Sequence, residues 1–314
     1  MQKKVKNPAK IWLIQINFVT LHHETIKTKE IKSMIKENWN VTELLKELGI
    51  SYLGNVSQSA KMRASYRNGT MTYCLYLAPW NMSGYNVCPK GQHCNEFCLN
   101  GSGQNKCDEL ARGVEGSKIN RSRIKKTKLF YQDREKFMRL MIHEIRVKRE
   151  RAERMGYEFS VRINGTSDLS PILFKDPESG KNLLELFNDV QFYDYSKVYN
   201  RIGLMQQYGN YDITFSYDGY NWEECEKFLQ NGGKVAVVFY SDSDKLPKKF
   251  RGYDVIDANG YDMRYLDPKK TIMGLHYHKT ANDYKMVNGK RVFQRPNTPF
   301  VIDLDRENNV DWGF

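Results

Sequence analysis

No apolar run in this chain of 314 residues approaches the roughly 18–20 that a membrane helix needs, which excludes an integral membrane protein. No small-residue cleavage site follows the basic and then apolar start MQKKVKNPAKIWLIQINFV, whose run from Ile11 to Val19 is interrupted by Gln15 and Asn17. That segment reads as a strand rather than a secretory signal, so the expected setting is intracellular. There is no repeat of fixed period and no low-complexity linker, which excludes solenoids and strung modules. Gly180-Lys181-Asn182 has neither the upstream glycine nor the Ser or Thr of a phosphate loop, and Gly101-Ser-Gly103 lacks the third glycine of a dinucleotide fingerprint. No Gly-x-Ser-x-Gly nucleophile elbow occurs. The sequons at Asn40, Asn55 and Asn81 carry no meaning without secretion.

What is present is globular: 40% hydrophobic and 27% charged residues. The net charge of +12 is uneven. Residues 1–36 carry eight Lys against two acids, and residues 117–154 carry fourteen Lys or Arg against five, leaving the remainder slightly acidic. A basic helix over 121–154 is the footprint of a polyanion, so nucleic acid or a host protein is the expected partner; a solvated helix face is the plain alternative.

Along the chain, residues 1–70 read as a small N-terminal extension. It holds the strand KIWLIQINFV, a polar helix near Thr28–Glu37, and a second helix capped by Asn40 and stopped by Gly49. From residue 71 to 314 apolar runs alternate with helical stretches. Strands are expected at Met71–Leu77, Glu158–Ile163, Val190–Tyr195, Tyr211–Tyr217, Val235–Tyr240, Tyr253–Ala258 and Thr271–His276, and helices at Arg121–Met155, Asn182–Phe187, Lys197–Gln207 and Asn221–Asn231. Phe130, Phe137, Met141 and Ile145 mark the buried stripe of the first helix, and Gly156 ends it. This alternation predicts the α/β class, as a (β/α) barrel-like domain or an open parallel sheet. Polar residues follow each strand: Asn164-Gly-Thr-Ser-Asp168, Asp194-Tyr-Ser-Lys197, Ser216-Tyr-Asp218, Asp257-Ala-Asn259 and His276-Tyr-His278. In parallel α/β folds ligands bind at that carboxyl rim, although loops are polar in any case. Arg162, Asn164, Ser167 and Asp168, at the end of a central strand, are the candidate cofactor-binding residues.

Cys74 and Cys225 sit in apolar or helical surroundings and read as core thiols. Cys88, Cys94, Cys98 and Cys107 fall within a loop at 86–107, spaced C-x5-C-x3-C-x8-C. In a reducing compartment such a group reads as metal-binding. Thiolates select iron–sulfur clusters, zinc or copper(I), and the paired C-x2-C knuckles of structural zinc sites are missing. A [4Fe-4S] cluster with one open iron is therefore expected, with zinc as the alternative; Cys107 is a fourth ligand or incidental, and His93 a further donor.

The stretch Leu77-Ala-Pro-Trp-Asn-Met-Ser-Gly-Tyr-Asn-Val-Cys-Pro, with Cys94 and Cys98-Leu-Asn-Gly-Ser-Gly, resembles the phage gene product 88 family. So do Arg162-Ile-Asn-Gly-Thr-Ser-Asp168, Tyr193-Asp-Tyr-Ser-Lys197, and Asp257 with Asp262-Met-Arg264 and Asp267-Pro268. The resemblance covers about residues 70–280 and implies a bacteriophage protein acting in the host cytoplasm, with an iron–sulfur site in its cysteine loop. The layout is also similar to radical-SAM partial barrels, which place three cysteines after the first strand. Their usual spacing is C-x3-C-x2-C, and no Gly-Gly-Glu follows the second strand here, so S-adenosylmethionine stays an open cofactor.

His276-Tyr-His278 is the competing motif. Two histidines flanking one residue on a strand share a face. With a divalent metal and a tyrosine such as Tyr284 they would resemble a rolling-circle DNA nickase; a structural role at the rim is the alternative. Asp257, Asp262 and Asp267 could serve acid–base work or pair with Arg264.

Overall fold

The computed structural model describes residues 40–57, 59–91 and 93–306; the expected strand over KIWLIQINFV and the helix Thr28–Glu37 lie outside the described residues. The chain divides into two compact units, residues 1–49 and 50–314. In the first, helix α1 (Val41–Leu48) starts where the Asn40 side chain accepts the amides of Thr42 and Glu43, and stops at Gly49 with φ 60°. Both ends match the sequence expectation, because a side-chain acceptor and a residue free to adopt positive φ are the local requirements of helix termini.

The second unit is an α/β fold. Its strands are β1 (Gly54–Asn55), β2 (Thr70–Leu75), β3 (Glu158–Arg162), β4 (Gln191–Ser196), β5 (Tyr211–Ser216), β6 (Lys234–Tyr240), β7 (Lys249–Phe250), β8 (Tyr253–Asp257), β9 (Thr271–His276), β10 (Tyr284–Val287), β11 (Lys290–Phe293) and β12 (Val301–Asp303). All seven expected strands are present within two residues at each end. Ten strands form one sheet in the order β1-β2-β3-β4-β5-β6-β9-β8-β7, with β12 also on β6, while β10 and β11 make a separate hairpin. From β2 to β8 every pairing is parallel; β1 and β7 add antiparallel edges. β5 pairs with the first half of β6 (Thr214 with Lys234) and β12 with the second (Val301 with Val238). The order is sequential from β1 to β6 and then runs backwards through β9, β8 and β7. The ladder does not close among the described residues, so the sheet is open and no complete barrel forms.

Alternation along the strands separates two faces. The registers place Thr72, Ser160, Arg162, Tyr193, Asp212 and Lys234 on one, and Tyr73, Val161, Phe192, Ile213 and Val235 on the other. The helices are α2 (Ala60–Arg67), α3 (Gly103–Gly116), α4 (Lys118–Gln132), α5 (Arg134–Arg154), α6 (Leu183–Leu186), α7 (Gly203–Gln207) and α8 (Trp222–Gln230); α5 packs on β2 and β3, and α8 on β5 and β6. The expected helix 121–155 is two helices. Asp133 leaves helical geometry (φ −141°, ψ 75°) and its carboxylate accepts the Lys136 amide, so it ends one helix and caps the next. The stripe nevertheless holds: Phe130, Phe137, Met141 and Ile145 are fully buried, each contributing about 1.5–3 kcal/mol by area.

At the start of the sheet, the buried Glu144 carboxylate of α5 accepts the amides of Leu53 (2.8 Å) and Gly54 (2.9 Å) and the Tyr73 hydroxyl (2.8 Å), tying β1 to β2. At the opposite seam α2 bridges the gap: Lys61 Nζ donates to the Ala258 carbonyl beyond β8 at 2.8 Å. The segment 258–267 then crosses the polar face of the sheet. Asp262 takes Arg162 at 3.0 Å and the Tyr193 hydroxyl at 2.9 Å, and the Arg264 carbonyl accepts Lys234 Nζ at 2.6 Å.

Candidate metal centre

Because β2 to β6 and β9 run parallel, the loops that follow them meet at one rim. The cysteine loop leaves β2 and is anchored to the loop after β3 by backbone contacts: Asp168 N–H to Val87 O (2.8 Å), Gly165 N–H to Leu75 O (2.9 Å) and Thr166 Oγ1 to Leu77 O (2.5 Å). Gly165 allows this closeness, since a Cβ there would stand 2.7 Å from Leu75 O and from the Tyr76 ring. The loop then crosses the rim. His93 packs on Tyr220 after β5 (centroids 4.5 Å apart), Phe97 meets the edge of Tyr277 after β9, and the Glu96 carbonyl accepts Asn282 Nδ2 at 3.1 Å.

Successive turns fold Cys88 to Cys98: Gly91 N–H to Cys88 O, Cys94 N–H to Gly91 O, and Phe97 N–H to Cys94 O. A Cβ on Gly91 would collide with Cys88 and Trp80 at 2.9 Å. Two amides point at sulfur. Trp80 N–H lies 3.3 Å from Cys88 Sγ, and Asn100 N–H lies 3.5 Å from Cys98 Sγ. Trp80 adopts φ 52°, a positive value for a non-glycine residue.

Burial pushes the Cys88 thiol up to about 12, with the Trp80 amide opposing and Cys98, Asp168 and Cys94 adding to the rise. Burial likewise raises Cys98 to about 11; the Asn100 amide, Arg123 and Lys197 oppose it and Cys94 adds to it. The three sulfurs therefore feel one another, and two cations flank them. Lys197 keeps its charge despite burial because Cys94, Asp168, Asp218 and Cys98 surround it. Three partly covered thiols in one loop, two of them with an amide donor on sulfur and with cations alongside, are soft donors of the type that thiophilic metals take. As the side chains stand, no group of three or more Cys, His, Asp or Glu among the described residues is gathered to hold a metal ion.

Cys107 is exposed on α3, whereas Cys88, Cys94 and Cys98 are partly covered; Cys74 and Cys225 are buried, as expected of core thiols. The residues expected to bind a cofactor build the rim. Arg162 is paired with Asp262 and lies over Tyr195. Asn164 donates to Leu169 O and Asp194 Oδ2 and accepts from Ser167 and the Leu169 amide. Asp168 accepts Ser196 Oγ, the Lys197 amide and Arg201. These groups lock the β3 loop to the β4 loop.

His276 closes β9 and its amide donates to Asn259 Oδ1 at 3.1 Å. Burial holds the His278 imidazole below its usual value, with Lys61, His276 and Lys106 adding to the drop. Tyr284 lies on the β10–β11 hairpin with Lys106 Nζ 5.9 Å from its ring centre. Asp267 pairs with Arg264, and Asp257 holds Asn259. Two clefts of about 830 and 520 Å³ open at the amino ends of β4, β5 and β6, the rim away from the cysteines, and neither is lined by Cys or His.

Arg123 is the residue that sequence reasoning missed. It was read with the outward basic charge, yet it bonds Asn100, lies 5.1 Å from the Tyr76 ring centre and stands beside Cys98. The signal was available: Arg123 precedes Phe130 by seven residues, as Phe130 precedes Phe137, so it continues the inward stripe.

Compared with known families, residues 44–290 match the family model described as Gene product 88. No curated protein and no solved structure matches the chain.

Proposed function

Since this chain belongs to the gene product 88 family of bacteriophage proteins, with most of its length inside the family match, we propose that it is an iron–sulfur protein. The ligands in this reading are Cys88, Cys94 and Cys98, held at the carboxyl rim of a radical-SAM-like partial barrel. The observation that carries it is the cysteine loop itself, whose successive turns carry Cys88, Cys94 and Cys98 across the rim with the Trp80 and Asn100 amides on two of the sulfurs. Cys107 is left out of the set because it is exposed on α3. A cluster bound by three thiolates would supply one-electron transfer and an iron open to a further ligand. The protein's own residues would exclude water on the loop side, orient the thiolates through the Trp80 and Asn100 amides and offset their charge. The basic stretch 121–154 fits an anionic partner, nucleic acid or a host protein, met in the host cytoplasm.

The test is anaerobic purification followed by an absorption spectrum and iron, sulfide and zinc assays. A brown protein with stoichiometric iron and sulfide is expected. Cys88→Ser, Cys94→Ser and Cys98→Ser should each lose most of the iron, and Cys107→Ser should keep it. A colourless protein with one zinc would overturn the reading and make the loop a structural staple. A spectral change on adding S-adenosylmethionine would assign that molecule to the open iron. Tyrosine-dependent covalent attachment to DNA, with no metal lost on cysteine substitution, would move the activity to His276 and His278.

A further inference from the structure

The two basic helices differ in the acids they carry. Helix α5 has four Glu among its eight Lys or Arg, and three of its cations are paired: Lys136 with Asp133, Arg139 with Glu135 and Glu178, and Arg149 with Glu153 and Asp189. Helix α4 carries six Lys or Arg and no acid. Two of its cations turn inward: Arg123 towards Asn100 and Cys98, and Lys126, buried, 4.6 Å from the Tyr52 ring centre. The other four, Lys118, Arg121, Lys125 and Lys128, are exposed. Their spacing of three, four and three residues sets them within an arc of about 80° and along about 15 Å of helix.

We propose that this outer face of α4 binds the phosphate backbone of nucleic acid. A straight row of exposed cations on a helix without acids complements a row of phosphates, which in duplex DNA present about one negative charge per 1.7 Å of axis. Contacts of this kind position a protein on nucleic acid without reading sequence. The inner face of the same helix supports the cysteine loop: Thr127 Oγ1 accepts the Ala78 amide at 2.9 Å and Arg123 stands beside Cys98. A bound polymer would lie about one helix diameter, roughly 10 Å, from that loop. The proposal does not rest on the identity of the metal, and its test applies equally to a protein that holds none.

The experiment is fluorescence anisotropy of the full chain with a labelled DNA duplex of arbitrary sequence, titrated at several salt concentrations. If all four cations engage, affinity should fall about a hundredfold between 50 and 200 mM salt, a log–log slope near −3.6. Replacing Lys118, Arg121, Lys125 and Lys128 together by Gln should weaken binding by tenfold or more and flatten the slope. Replacing Lys148, Arg149, Arg151 and Arg154 on α5 by Gln removes the same charge and should change affinity less than threefold. Circular dichroism and melting check that both variants fold; should the α4 variant not fold, Arg121→Gln with Lys128→Gln is expected to remove about half of the slope. Equal loss in the two quadruple variants, affinity indifferent to salt, or retention on phosphatidylserine vesicles without duplex binding would each overturn the proposal.

Discussion

The two faces of the parallel sheet solve the same problem by opposite means. One face is aromatic and aliphatic: Phe215, Val235, Val237, Phe239 and Ile272 are buried with Cys225, Phe228 and Leu229 of α8. Among the described residues the other carries a small apolar cluster around Ala236, Ala258 and Met273. The rest of that face is polar, with Arg162 against Asp262, Lys234 against Asp212 and Tyr193 donating to Asp262. An apolar face gains stability in proportion to area and accepts many partners. A polar one needs each charge to find its particular partner, because a buried charge left alone is costly. The first face packs the apolar core, while the second anchors the crossing segment 258–267.

The sharpest way to break this contrast is Asp262→Ala, which leaves Arg162 buried without its carboxylate and should cost about 3–5 kcal/mol. The pair Arg162→Met with Asp262→Leu should recover most of that loss, as buried ion pairs often exchange for apolar groups. Urea denaturation of both proteins decides it; a double variant no more stable than the single one would refute the account. On the opposite face Ile213→Ala should cost about 2–5 kcal/mol with no rescue by any charged partner. Gly165→Ala is smaller, about 1–3 kcal/mol for overpacking against Leu75 O and Tyr76. If the cysteine loop holds the proposed metal, the distinctive readout is loosened metal retention, and an unchanged metal content would show that the β3 loop does not support the cysteines.

The smallest effect is a pH slope. Burial raises the Asp194 carboxyl to about 6, against the amide and side chain of Asn164 and the charges of Arg162 and Arg201. A folded value above the unfolded one means that this group's contribution is fully present below the ordinary carboxylate range, about pH 4, and is lost as pH rises to about 6. Asp194→Asn should therefore flatten the stability curve between pH 4 and 6; a slope identical to the parent's would assign that window to another group. Asp262 runs the other way. Although burial opposes it, Arg162 and Lys61 hold its carboxyl below the ordinary value, so its contribution is lost as pH falls through that lower range.

Much of the fold was legible in the chain. Strands such as Val235–Tyr240 announce themselves as short continuous apolar runs because both of their faces are covered, and the caps at Asn40 and Gly49 are local chemistry. The break at Asp133 was not legible, since the apolar stripe runs through it without interruption and only a one-residue departure from helical geometry separates the two helices. The weak elements β1, β7, β10, β11 and β12 were also missed. At two to four residues each they carry too little pattern to show, and the pairing of β12 with β6 depends on space left where β5 ends. Within the site, Cys88, Cys94 and Cys98 declared themselves by residue type and spacing. The partners of Arg162 and Asp168 did not.

By itself the sequence determined the α/β class, the seven principal strands, the inward stripe of the basic helices and the spacing of the cysteines in one loop. All of these depend on residues within a few positions of one another, where periodicity and side-chain chemistry act directly. Only the tertiary structure decided that the sheet stays open, that Asp262 reaches Arg162 across 100 residues of chain, and that Arg123 faces the cysteines while Lys118, Arg121, Lys125 and Lys128 face outward. Those outcomes depend on which distant groups the folded chain brings within a few ångströms, and a charge in sequence carries no record of the partner it will meet.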